Sequence, residues 1–270
     1  MQNDATKRAH TDHGTKRLQS QRLAGHPDFF TRGPFPLSDA ARPIDRLYDL
    51  HNGRVMIPRM LLLLTALVTT NILAQSPPPE RVASAHALRS ERDPAVTIQL
   101  PADVQYVGAH RWVLYGVADC EVHVFVEADA QKRVSRMYWI QFEGYLPQIS
   151  ASYDGYTSPL RVDLGGGREF IVDGGLSRSS APTRQGSDRE RVQELLKAKG
   201  YVLPAEMMTR RMVHLPTPDR RKELMIIYAE DLAPSGFVLA DLTTGGKSAA
   251  EWPRLERELL RRARERITLR

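Results

Sequence analysis

The chain lacks most of what a chemical site is commonly built from. Its only cysteine is Cys120, so no intramolecular disulfide can form. Half of the eight histidines (His10, His13, His26, His51) fall in the first 55 residues, leaving His86, His110, His123 and His214 for the rest. With one thiol and so few imidazoles, a structural zinc site is not expected, and neither is any other metal or cofactor. Cys120 and His123 have the spacing C-x-x-H, but residues three apart on a strand point to opposite faces. Cys120, in an apolar-rich stretch, reads as a small buried residue rather than a nucleophile.

A surplus of charge is also missing. Residues 75–270 hold 28 Lys+Arg against 26 Asp+Glu, whereas residues 1–74 hold 10 against 6. The overall charge of +6 is therefore mostly a property of the first 74 residues, and no nucleic-acid partner is expected. Asparagine does not occur after Asn71, and arginine is used in preference to lysine, a bias that suits a GC-rich bacterial genome. Two familiar motifs are near misses. Thr243–Ser248 resembles the end of a phosphate-binding loop, but Asp241 stands where that loop needs glycine. Gly175–Ser179 resembles a nucleophile elbow, but its last glycine is Ser179 and no helix follows at once.

No apolar run reaches the roughly 20 residues of a membrane-spanning helix. The longest, Met60–Leu73, is interrupted by Thr65, Thr69, Thr70 and Asn71, follows Arg54 and Arg59, and ends at Ala74. A basic segment, a short apolar run and a small residue are the parts of a secretory signal. Residues 56–74 therefore read as a signal peptide cleaved near Ala74, placing the product in the periplasm or the medium. An uncleaved anchor through residues 60–73 is the alternative; otherwise the membrane is met only transiently. Residues 1–55, polar and interrupted by Pro27, Pro34, Pro36 and Pro43, read as a disordered leader or as sequence ahead of a start at Met56 or Met60. Residues 75–103, with Pro77–Pro79, Pro94 and Pro101, read as a linker.

Periodic structure is expected over 104–270, as a single domain. Strands are predicted at His110–Val117, Asp119–Glu127, Arg133–Leu146, Leu160–Leu164, Arg168–Val172, Met207–Leu215 and Glu223–Glu230. Ser187–Glu190 is a capping box that opens a helix carrying Val192, Leu195 and Leu196, and Glu251–Ile267 is a second helix with a stripe at Leu255, Leu259, Leu260, Ala263 and Ile267. Hairpins without regular βαβ alternation argue for an α+β fold: a mostly antiparallel sheet with two helices packed on one face.

The strongest candidate site is the mixed face of the first long hairpin. A five-residue loop, 128–132, would put Val122, Val124 and Val126 on the side of Tyr138, Ile140 and Phe142. Glu121, His123 and Glu127 would then face Trp139, Gln141, Glu143 and Tyr145, with Glu121 opposite Trp139. Polar groups among aromatics suit a small-molecule site, so Glu121, His123, Trp139, Glu143 and Tyr145 are the expected ligand-binding residues. The reading preferred is an exported, non-catalytic domain that binds a small ligand or an envelope protein. An exported hydrolase using His123 with Glu121 or Glu143 is one alternative. An envelope structural protein docked through the arginine-rich last helix is another.

Overall fold

The computed structural model describes residues 77–270. The expected leader and signal peptide, residues 1–74, lie outside the described residues. The architecture is α+β, mostly antiparallel sheet with few helices. Among the described residues, no helix is long and apolar enough to cross a membrane.

Two meanders form the main sheet. β4 (Gln105–Leu114), β5 (Ala118–Ala128) and β6 (Val134–Tyr145) make the first. β7 (Arg161–Asp163), β8 (Glu169–Arg178), β9 (Glu206–His214) and β10 (Lys222–Asp231) make the second. Antiparallel pairing of β6 with β10 joins them in the order β4-β5-β6-β10-β9-β8-β7. The chain must therefore travel from β6 in the middle to β7 at the far edge. It does so through residues 146–160, which form neither helix nor strand. Connections this long without secondary structure are uncommon in compact domains.

A smaller sheet lies where a linker was expected. β1 (Val82–Ala83), β2 (Ala87–Glu91) and β3 (Ala95–Gln99) pair in sequence, and β11 (Thr268–Leu269) adds on the other side of β3. Leu88, Val96, Ile98 and Leu100 enter the core, so residues 82–100 are part of the folded unit. The prolines misled because they sit between the strands rather than in them. Gly165 helps seat β11: at φ +111° it turns the β7–β8 hairpin, and a Cβ there would lie 2.5 Å from the Leu269 carbonyl oxygen.

The main sheet is covered on both sides, by different helices. α1 (Asp188–Ala198) buries Val192 and Leu196 with Cys120, Val122 and Val124. Ser187 caps it, accepting from the Glu190 N–H, and Glu190 reaches back to the Gly186 N–H. α2 (Leu239–Leu242) is a single turn. α3 (Trp252–Arg266) buries Leu255, Leu259 and Ala263 with Phe125, Tyr138 and Ile140, the core that the small sheet also joins. Successive residues of β5 and β6 alternate between these two cores, so the expected pair of helices on one face is corrected to one helix on each. Each buried leucine contributes about 1.5–3 kcal/mol, which fastens both layers.

The hairpin register also differs from expectation. Glu127 pairs with Arg136 but Ala128 pairs with Val134, leaving Ser135 as an unpaired bulge. That extra residue changes the parity of every pair beyond it: Glu121 lies opposite Phe142, His123 opposite Ile140, Val122 opposite Gln141 and Val124 opposite Trp139. A one-residue change flips a strand's faces. The set proposed from sequence is thereby divided between the two sides of the sheet.

Candidate functional site

Glu121 and His123 lie on the α3 side, beneath the chain entering β1. Both side chains are 1% exposed. Glu121 accepts from the backbone N–H groups of Glu80 and Arg81, both at 2.8 Å, and from the Arg81 guanidinium at 3.2 Å. His123 Nε2 lies 2.8 Å from Glu121 and its Nδ1 lies 3.1 Å from the Tyr106 hydroxyl, so both ring nitrogens are engaged. Burial alone would raise the Glu121 pKa. The His123 contact, the two N–H donors and the Arg81 charge outweigh it and hold the carboxyl down at about 2. This group fastens the start of the small sheet to β5.

Two more acids on that side are met by cations. Glu127 accepts from Arg136, Arg266 and the Tyr138 hydroxyl, each at 2.6 Å. Glu230 accepts from Arg262 at 2.9 Å and from the Tyr228 hydroxyl. The arginine-rich helix thus turns Arg262 and Arg266 inward, while Arg254 pairs with Glu258 one turn along at 2.8 Å. Near the former phosphate-loop resemblance, Lys247 pairs with Asp241 at 3.2 Å.

Trp139, Gln141, Glu143 and Tyr145 lie on the α1 side, where residues 146–160 cross the sheet. A chain of hydrogen bonds runs along β6: Trp139 Nε1–H donates to Gln141 Oε1 at 2.9 Å, and Gln141 Nε2–H donates to Glu143 Oε2 at 2.9 Å. From the crossing segment, the Tyr153 hydroxyl donates to Glu143 Oε1 at 2.9 Å, and its ring stacks on Tyr145 at 4.5 Å. Tyr156 donates to Glu223 at 2.6 Å. Glu223 pairs directly with Glu143 across β10 and β6, so both carboxyls stand on one face. Arg211, held by Asp173 at 2.6 and 2.8 Å, lies over the Tyr156 ring.

Two further groups complete this cluster. Cys120 is fully buried on β5, and Asp188 opens α1; a carboxylate oxygen of each of Glu143 and Asp188 and the Cys120 sulfur all lie within 4.8 Å of one another. Asp188 Oδ1 is shut off from solvent and has no hydrogen-bond partner, and the Trp112 indole N–H, on the residue paired with Cys120, is in the same position. Burial pushes the acids up, and they repel one another: Glu223 to about 8, Asp188 to about 7, and Glu143 upward as well. Burial and the neighbouring acids also raise the Cys120 thiol, which is therefore a poor nucleophile.

Of the five residues expected to bind ligand, the structure brings Trp139, Glu143 and Tyr145 together and places Glu121 and His123 on the opposite side. Sequence reasoning missed Glu223, Asp188, Tyr153 and Tyr156. An acid opening the continuous apolar run Leu224–Tyr228 was the one visible signal. Comparison with known proteins yields no match among family models, curated proteins or solved structures.

Proposed function

We propose that this is an exported, non-catalytic domain that receives a small ligand on the α1 side of its sheet, around Trp139, Glu143, Tyr145 and Glu223. One observation carries the reading: neutral donors converge on buried carboxyls beneath a connection that crosses the sheet. A few oriented polar groups among aromatics are the usual lining of a small-molecule site. The inert thiol argues against nucleophilic catalysis at Cys120. Export rests on the basic, apolar and small-residue pattern of residues 54–74.

A hydrolase is the second reading, favoured by the Glu143–Glu223 carboxyl pair, in which a proton held to about pH 8 suits a general acid. His123 supports it poorly, since both ring nitrogens are occupied. Native mass spectrometry of the chain purified from an exporting host tests the preferred reading. It should show a retained small molecule or ion and an N-terminus near Gln75. A protein that carries no ligand and binds none from a metabolite and metal panel would overturn the binding reading. An intact residue 1–55 segment on the soluble product would overturn export.

A further inference from the structure

Resting on the reading that the α1 side is a binding site, we propose that Cys120, Glu143 and Asp188 ligate a divalent first-row metal ion of the zinc or cobalt type. The three donors come from β5, β6 and α1, and they approach within 4.8 Å of one another. In a tetrahedral site with Zn–S of about 2.3 Å and Zn–O of about 2.1 Å, neighbouring donors lie roughly 3.5 Å apart. Small side-chain adjustments therefore close the set around one ion.

Two independent features point to a cation. Asp188 Oδ1 is buried without a partner, and a buried acceptor left unsatisfied is costly. The hydrogen-bond polarity around Glu143 is the second. Tyr153 and Gln141 each donate to one of its oxygens, which fixes the carboxyl in place beside Cys120 and Asp188 and leaves its remaining lone pairs for a cation. The donors to Glu143 are neutral, and Arg211 on this side acts on Glu223 and is held by Asp173, so a cation between Glu143, Asp188 and the thiol would supply the counter-charge that arginines supply on the α3 side. Oxygen donors alone would suit magnesium or calcium; the thiol selects a softer ion. On binding, the Cys120 S–H bond breaks, its proton leaves to solvent, and the sulfur electron pair forms the metal bond. Gln141 and Tyr153, which donate to Glu143, orient that ligand from behind.

The test is a titration of the chelator-treated full chain with Co²⁺ alone, followed by absorption. The expected result is a thiolate-to-cobalt charge-transfer band that saturates at one equivalent and disappears in Cys120→Ser. Zn²⁺ should displace the cobalt. Asp188→Asn, which keeps the size of the side chain at the first turn of α1, should weaken binding at least tenfold with unchanged near-UV circular dichroism. No band in the wild-type chain, or equal affinity in Asp188→Asn, overturns the metal proposal. A retained organic molecule with no cobalt band would overturn the metal while leaving the small-ligand reading intact.

Discussion

Each face of the seven-stranded sheet buries several carboxyls, and the two groups are held in opposite ways. On the α3 side, Glu121, Glu127 and Glu230 meet guanidinium groups from Arg81, Arg136, Arg262 and Arg266. Those contacts join four distant parts of the chain: the start of the small sheet, β5, β6 with β10, and α3. On the α1 side, Glu143 meets an amide and a phenol, Glu223 meets a phenol with the Arg211 charge nearby, and Asp188 keeps one oxygen unsatisfied. The comparison teaches that buried charge alone does not mark a site. A buried acid whose acceptors are filled by cations is an architectural clamp. A group of acids held by neutral donors stores a charge imbalance that a ligand can relieve.

Breaking the clamp should have the largest effect. Glu121→Ala removes the acceptor of two backbone N–H groups, Arg81 and His123 in a site 1% exposed. Urea unfolding should show a loss of about 3–5 kcal/mol, as for removal of one partner from a buried ion pair. A loss under about 1 kcal/mol would mean that the small sheet is held by its apolar contacts alone.

The two sides should also separate by pH. Glu121 has a depressed pKa, so its contribution is complete above its ordinary value near 4.5 and is lost as pH falls toward 2. Glu223 has a raised pKa, so its contribution is complete below about 4.5 and is lost as pH rises through about 8. The groups facing Glu223 are Glu143 from β6, Asp188 from α1, Tyr156 from the crossing segment and Arg211 from β9. Unfolding free energy of metal-free protein should therefore decline in acid and again between about pH 5 and 8. Stability flat across the second window would remove the imbalance assigned to the α1 side.

The smallest expected effect is the most discriminating. Glu223→Gln keeps the Tyr156 hydrogen bond and removes a charge that the site disfavours. Its stability at pH 8 should equal or exceed that of the wild-type chain, by up to about 1 kcal/mol, because replacing an unbalanced buried charge is often neutral or stabilising. A loss comparable to that of Glu121→Ala would place Glu223 among the clamps.

Much of the secondary structure was legible in the sequence and less of the site. Alternation located β5 and β6, three glycines located the β7–β8 turn, and Ser187 with Glu190 located the start of α1, because those signals are local. Ser135 was not legible as a bulge: nothing in its neighbourhood distinguishes a loop residue from an unpaired strand residue, yet it decides whether Trp139 pairs with Val124 or with His123. The burial of Glu121 and His123 was hidden for another reason. Their cover comes from residues 80 and 81, forty positions away, so a strand pattern that reads as half-exposed belongs to a sheet covered on both faces. Asp188 was visible only as a helix-start residue, and its second role depends on where α1 docks.

The most direct test is a carbon-13 NMR titration of side-chain carboxyls in the metal-free chain, resolving Glu121 and Glu223 in one sample. The account predicts that Glu121 titrates near 2 and that Glu223 titrates near 8. If both titrate together near 4.5, the two faces hold their acids alike, and the distinction between clamp and site is wrong.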